Sequence, residues 1–128
     1  LVGCETAEFL VKQGKKVTIL EMLPKLGPDI GVTTRQFLLG RLREAGIDMH
    51  ANSCVVEITA NCVSVRRDGE VLSFAADSVV LAVGMRPNNE LLEQLKGGPY
   101  ELYSIGDCVE PRRIANAVAE ATQVAYSI

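Results

Sequence analysis

The sequence predicts an α/β domain whose parallel sheet carries an inserted three-stranded antiparallel meander. Three observations support this fold class. Helical and strand-like segments alternate along the first 50 residues, three short segments of alternating apolar and polar residues follow, and a continuous apolar run comes next. Alternating helices and strands are typical of a parallel sheet, whereas apolar–polar alternation indicates antiparallel strands with one wet face.

The first half of this pattern begins with a helix over residues 2–13, which Gly14 ends. Lys16–Met22 is rich in β-branched residues, ends next to an acid and predicts a buried strand. Residues 22–32 contain two prolines and two glycines, so we expect a loop there.

A second helix is expected from a cap at Thr33 or Thr34 through Ala45, with Gly46 ending it. The apolar face of this helix is predicted to hold Phe37, Leu38, Leu42 and Ala45. Ile47–His50 then predicts a short strand.

The meander is predicted from three apolar pairs at alternate positions, with a hairpin turn between the second and the third. The pairs are Val56 and Ile58, Val63 and Val65, and Leu72 and Phe74; the turn is Asp68-Gly69. Ser78–Val83, closed by Gly84, is apolar throughout and is expected to be a strand buried on both faces.

In the last third of the chain, Glu90–Leu95 predicts a brief helix and Gly97-Gly98-Pro99 a linker. Leu102–Ile105 predicts a short strand that ends at Gly106-Asp107. Pro111 is then expected at the start of a final amphipathic helix.

Composition excludes several classes of function. The chain has 128 residues, 48% of them hydrophobic, and a net charge of −3, so it lacks the basic surface that binds nucleic acid or anionic membranes. No apolar run is long enough to span a bilayer. The four cysteines form no C-x-x-C pair, so we expect free thiols in a cytoplasmic protein and no metal site.

Gly3 and Glu21 form half of a dinucleotide-binding fingerprint. In a Rossmann-like fold, a glycine-rich turn and a helix N-terminus receive the pyrophosphate, and an acid at the end of the next strand binds the ribose. The 18-residue spacing fits the last glycine of that turn. We therefore expect that the first strand and the first two glycines are missing from this fragment and precede it in a longer parent protein. The alternative is a helix that merely begins after a glycine.

Three motifs resemble one superfamily of flavoproteins. Leu1–Leu10 (LVGCETAEFL), Leu81–Asn88 (LAVGMRPN) and Ser104–Asp107 (SIGD) are similar, in order and spacing, to motifs of the pyridine-nucleotide-disulfide oxidoreductases. Two further runs resemble the old-yellow-enzyme-type NADH:flavin oxidoreductases, such as 2,4-dienoyl-CoA reductase and 2-enoate reductase: Leu26–Asp29 leading to Thr33-Thr34, and Ile105–Val109.

The resemblance implies two parts, an NAD(H)-binding domain over residues 1–87 and a return segment of an FAD-binding domain over residues 88–128. In that branch, an FMN-bearing barrel and an iron–sulfur cluster lie elsewhere in the parent. The implied partners are the parent's remaining domains, with no nucleic acid and no membrane.

The resemblance also implies cofactor-binding residues for NAD(H). Gly3 and the N–H groups of Cys4 and Glu5 would face the pyrophosphate. Glu5 would lie near the nicotinamide ribose or the flavin, or else be a solvent-facing acid that complements the helix dipole. Glu21 would bind the adenosine ribose and, by repelling a 2′-phosphate, favour NADH over NADPH. Val83, Gly84 and Met85 would pass close to the dinucleotide.

For FAD, the resemblance implies that Gly106 and Asp107 are cofactor-binding residues and that Asp107 hydrogen-bonds a hydroxyl of the ribityl chain. The alternative reading of Asp107 is a helix N-cap. We predict no catalytic residue, because no side chain is a convincing acid, base or nucleophile. His50 and Cys108 are better explained by packing, and Glu110–Arg113 by a charged start to the final helix.

The predicted function is to pass hydride from NADH to FAD for reduction of an enoate or enoyl-CoA type substrate, as part of a parent enzyme and with no turnover by the fragment alone. One alternative is an NADH oxidase or disulfide reductase of the same superfamily. Another is a non-catalytic nucleotide-binding regulatory module.

Loss of the first strand would leave a slot in the sheet between Lys16–Met22 and Ser78–Val83. Buried unpaired backbone groups each cost about 1–3 kcal/mol. We therefore expect Leu102–Ile105 to fill the slot, within one chain or by exchange of strands between copies.

Overall fold

The computed structural model describes all residues, Leu1–Ile128, and the chain forms two compact units. The first unit is Leu1–Ala82 and the second is Val83–Ile128. No helix in either unit combines the length and apolar character needed to cross a membrane.

The first unit contains two helices and both sheets. Its elements are α1 (Val2–Lys12), β1 (Thr18–Leu20), α2 (Val32–Glu44), β2 (Asp48–His50), β3 (Cys54–Ile58), β4 (Cys62–Arg67) and β5 (Glu70–Ala75). The second unit contains α3 (Glu90–Leu95), a 3-10 turn (Gly106–Cys108) and α4 (Ile114–Ala125). The predicted α/β class with an inserted antiparallel meander is confirmed.

Helix α1 ends as predicted, at a glycine. Gly14 has φ +78°, a left-handed conformation that suits glycine after a helix C-terminus. Its N–H donates to the Val11 carbonyl at 2.9 Å, and the Lys15 N–H donates to the Leu10 carbonyl at 3.2 Å. These two bonds form the Schellman arrangement, which satisfies carbonyls left open by the last turn.

Strands β1 and β2 form a parallel pair, with Thr18 beside Asp48 and Leu20 beside His50. The two helices contribute most of the core next to this pair. The buried cluster consists of Cys4, Ala7, Ile30, Leu38, Leu42 and Ile47. This packing joins the two ends of the first α-β-α-β segment into one unit.

Helix α2 differs from the prediction at its start and on its apolar face. It begins at Val32 after Gly31, without a side-chain cap, so Thr33 and Thr34 lie inside the first turn. Phe37 is 70% exposed, whereas the adjacent Leu38 is 3% exposed. Only a narrow stripe of this helix therefore meets the core.

The three-stranded meander is confirmed, in the order β3-β4-β5. Asp68 (φ 51°) and Gly69 (φ 86°) both adopt positive φ, the conformation of a tight two-residue hairpin turn. Val63 and Val65 on the central strand are buried at 5% and 0% exposure. The bonding register shifts between Val55 and Glu57, which marks a bulge in β3.

Two predicted strands are not formed. Ser78–Val83 and Leu102–Ile105 belong to neither sheet, and the apolar side chains of Val80 and Leu81 are 59% and 69% exposed. A strand needs a neighbour that accepts and donates its backbone hydrogen bonds, and no segment takes that place here. The prediction that Leu102–Ile105 closes the sheet within one chain is therefore wrong; exchange of strands between copies stays a prediction.

The final helix also begins later than predicted. Helix α4 starts at Ile114 with Arg113 as its N-cap residue, so Pro111 precedes it in an irregular segment.

Candidate functional site

The end of β1 places Glu21 at the carboxyl edge of the parallel pair. Its backbone N–H donates to the His50 carbonyl at 2.9 Å, and its carbonyl accepts the Ser53 N–H at 2.8 Å. These bonds extend the pairing past the last strand residue. The backbone of Glu21 is therefore held at the edge where parallel α/β sheets bind ligands.

The Glu21 side chain keeps one oxygen free. Its Oε1 accepts the Leu23 N–H at 3.0 Å, which orients the carboxylate, and no group donates to Oε2. The side chain is half-buried. A fixed carboxylate with an open oxygen can accept a hydrogen bond from a ligand hydroxyl.

The first turn of α1 distributes its N–H groups differently from the prediction. The N–H groups of Cys4 and Glu5 both donate to the Leu1 carbonyl, at 3.0 and 3.1 Å. Those of Val2 and Gly3 have no acceptor within the chain, so they are the donors that the turn leaves open to an anion. A binding role for Gly3, Cys4 and Glu5 stays a prediction.

Gly3 allows the start of α1 to approach another segment closely. A Cβ atom built on Gly3 would lie 3.0 Å from the Cβ of Ala82, which is tighter than ordinary contact between carbon atoms. The last glycine of the dinucleotide fingerprint has this same packing role. The contact therefore fits the assignment of Gly3 to that position.

Burial and nearby charges at the start of α1 change the pKa of the Cys4 thiol. Burial is the main reason that its pKa is raised; the Leu1 ammonium opposes the shift, and the carboxylates of Asp29, Glu21 and Glu5 add to it. Glu21 and Glu5 thus both act on the start of α1. The shift keeps Cys4 a neutral thiol and therefore a poor nucleophile.

His50 and Cys108 both contact neighbouring groups of the fold, His50 through its ring and Cys108 through a hydrogen bond. The His50 ring lies against Phe74, with the ring centroids 4.9 Å apart. The Cys108 thiol donates to the Ile105 carbonyl at 3.0 Å. These contacts agree with the structural interpretation of both residues.

Val83, Gly84 and Met85 lie in the second unit. Gly84 has φ +97° with open space where a side chain would project, so only glycine suits this position without strain. Val83 and Met85 are 88% and 74% exposed. An exposed backbone with this freedom can approach a ligand closely, and the predicted dinucleotide contact stays a prediction.

Asp107 lies in the 3-10 turn and does not cap α4. Helix α4 begins at Ile114, and the Asp107 Oδ1 atom instead accepts the Arg112 N–H at 3.3 Å. Its other oxygen has no hydrogen-bond partner. The N-cap interpretation of Asp107 is therefore wrong, and a free carboxylate oxygen remains available to a ligand.

An open depression of about 450 Å³ adjoins Asp107. Its walls include the apolar side chains of Ile105, Ile114 and Val118, together with Arg112. A carboxylate beside an apolar wall suits a ligand that has both hydroxyl groups and an aromatic ring.

Glu120 is a residue of this region that the sequence analysis missed, and Arg112 was predicted only as part of a charged start to the final helix. Glu120 Oε2 accepts the Gly106 N–H at 2.7 Å, and Oε1 accepts the Arg112 guanidinium. The signal available in the sequence was that Glu120 is the only charged residue of α4, which is otherwise apolar or small and polar.

Comparison with known proteins identifies one family. The model of the pyridine nucleotide-disulphide oxidoreductases matches residues 1–98. A metal reductase of Desulforamulus reducens is 37% identical over 91% of this chain and 18% of its own length. An NADH oxidase of Thermoanaerobacter brockii is 36% identical over 100% of this chain and 20% of its own.

A cinnamate reductase of Clostridium sporogenes is 31% identical over 100% of this chain and 20% of its own length. The solved structure of 2-naphthoyl-CoA reductase superposes with a TM-score of 0.83 and 28% identity, over 98% of this chain and 19% of that one. The chain thus spans about a fifth of the length of the curated relatives it matches.

Proposed function

The chain belongs to the pyridine nucleotide-disulphide oxidoreductase family, and from that premise we propose that it binds NADH in a larger flavoprotein oxidoreductase. The observation that carries the proposal is the Glu21 carboxylate, held by the Leu23 N–H with one oxygen free. Glu21 follows strand β1, which lies beside α1. At the N-terminus of α1, the N–H groups of Val2 and Gly3 have no acceptor. A dinucleotide presents phosphates, which suit free N–H donors, and a ribose diol, which suits a carboxylate acceptor.

Each group has a distinct task in this proposal. Val2 and Gly3 offer N–H groups to the pyrophosphate, while Glu21 accepts a hydrogen bond from the adenosine ribose. The same carboxylate repels a 2′-phosphate, which favours NADH over NADPH.

The second unit supplies the residues that we propose for binding FAD. Asp107 would accept a hydrogen bond from the FAD ribityl chain, and Ile105, Ile114 and Val118 would place apolar side chains beside it. NADH supplies a hydride and FAD accepts it; the protein supplies binding, orientation and exclusion of water. FMN and an iron–sulfur cluster would belong to other parts of the parent.

We further propose that the parent reduces an enoate or enoyl-CoA type substrate. The similarity to a cinnamate reductase and to 2-naphthoyl-CoA reductase supports this class. The similarity to an NADH oxidase favours a second candidate, in which the parent's flavin passes its electrons to oxygen. In either case, the residues that select the acceptor would lie in other parts of the parent.

The proposed NADH site is tested in the intact parent by Glu21→Ala and Glu21→Arg. We expect Glu21→Ala to weaken NADH binding by about 1.5–3 kcal/mol, the range for a hydrogen bond to a charged group, and Glu21→Arg to shift preference towards NADPH. The measurement is the KM and Kd for both coenzymes.

The matched control is Glu57→Gln. Glu57 is an acidic residue of β3 that makes no ion pair. This variant should leave both coenzyme affinities unchanged. If Glu21→Ala has no effect on either coenzyme, Glu21 does not bind the ribose. A parent that binds a nucleotide but no flavin would instead be the regulatory module.

A further inference from the structure

Both carboxylate oxygens of Glu120 accept hydrogen bonds from groups within the second unit. Oε2 accepts the Gly106 N–H at 2.7 Å, and Oε1 accepts the Arg112 guanidinium. The Glu120 and Arg112 side chains are 30% and 31% exposed. The Gly106 N–H, and next the Arg112 side chain, lower the pKa of Glu120, so this carboxylate stays charged at neutral pH.

Gly106 is held from two sides by α4. It has φ +68°, and a Cβ atom at this position would lie 3.3 Å from the Cβ of Ala117. Ala117 lies one turn before Glu120 on the same helix. Close backbone contact and a charged hydrogen bond therefore fix the same residue, and Asp107 follows it directly.

Arg112 connects the same network to Asp107. Its side chain donates to Glu120, while its backbone N–H donates to Asp107 Oδ1 at 3.3 Å. Its Nε donates to the Glu110 carbonyl at 3.3 Å, which closes the segment between the turn and α4. Asp107 is thus held through the preceding peptide and through one of its own oxygens.

We propose that Glu120, together with Arg112, is a positioning residue that holds the Gly106-Asp107 turn so that the free oxygen of Asp107 faces the FAD ribityl chain. This inference rests on the proposed flavin function. Glu120 itself does not contact the flavin. It acts through Asp107.

The test compares Glu120→Ala and Glu120→Gln in the intact parent. We expect Glu120→Ala to raise the Kd for FAD about tenfold, as for loss of a hydrogen bond to a charged group. Glu120→Gln keeps one oxygen that can accept the Gly106 N–H, so its Kd for FAD should lie between those of the wild type and Glu120→Ala. The readouts are FAD binding to the apoprotein and the visible circular dichroism of bound flavin. Glu93→Gln, which removes a surface ion pair with Lys96, is the matched control and should change neither.

A double-mutant cycle separates positioning from a general structural role. If Glu120 acts through Asp107, then Glu120→Ala should have no further effect on the Kd for FAD once Asp107→Ala is present. Additive effects in the double variant would overturn the inference. The inference would also be overturned if both Glu120 variants bind FAD like the wild type while Asp107→Ala weakens FAD binding. The proposed function would then stand. A wild-type parent that binds no FAD would overturn both.

Discussion

Gly3→Ala tests whether the close approach between α1 and Ala82 is essential to the first unit. The added methyl would lie 3.0 Å from the Ala82 Cβ. Carbon atoms prefer about 3.5–4.0 Å, so the two must separate by about 0.5 Å or more. Because both carbons are attached directly to the backbone, neither can rotate away, and the segments themselves must move.

Two opposing effects determine the size of the change. Replacing glycine by alanine in a helix gains at most about 1 kcal/mol, and less in the first turn, where few hydrogen bonds depend on it. Overpacking of a close contact costs about 1–3 kcal/mol. We therefore expect Gly3→Ala to lower the free energy of unfolding of the chain by about 1–2 kcal/mol, measured by urea denaturation with far-ultraviolet circular dichroism.

Gly40→Ala is the matched control, because Gly40 lies within α2 and has nothing within 4 Å of its Cβ position. It should stabilise the chain by about 0.5–1 kcal/mol. Adding Ala82→Gly to Gly3→Ala removes the facing methyl, so the double variant should recover most of the lost free energy of unfolding. If Gly3→Ala stabilises the chain as Gly40→Ala does, the two segments do not make this contact.

Two further predictions concern the flavin site and pH. In the parent, Asp107→Ala should increase loss of FAD during dialysis while leaving the Kd for NADH nearly unchanged; retention of stoichiometric FAD would contradict the ribityl role. Glu8 joins α1 to α2 through Arg41 at 2.8 Å, and bonding to Arg41, with a smaller effect of Lys12, lowers the pKa of Glu8 from 4.5 to about 2. Since the folded pKa is depressed, the stability difference between wild type and Glu8→Gln should be full above pH 4.5 and vanish as pH falls through about 2. A difference that does not depend on pH would contradict the ion pair.

Features decided by neighbours in the chain were predictable from sequence. Gly14 and the Asp68-Gly69 turn adopt the positive φ that their residue types predict. The three meander strands follow from their apolar alternation, and their pairing needs only a tight turn. The dinucleotide motifs were readable for the same reason, since a glycine, a helix start and a strand-end acid occur at a set spacing.

Features that depend on a distant partner were decided only by the tertiary structure. Ser78–Val83 has the composition of a buried strand, but composition does not reveal whether a neighbour is present to pair with it. The Gly3–Ala82 approach joins residues far apart in the chain, and the bond from Gly106 to Glu120 spans 14 positions. Backbone turns are set by local sterics, whereas pairing, close approach and the orientation of Asp107 depend on what the folded chain brings alongside.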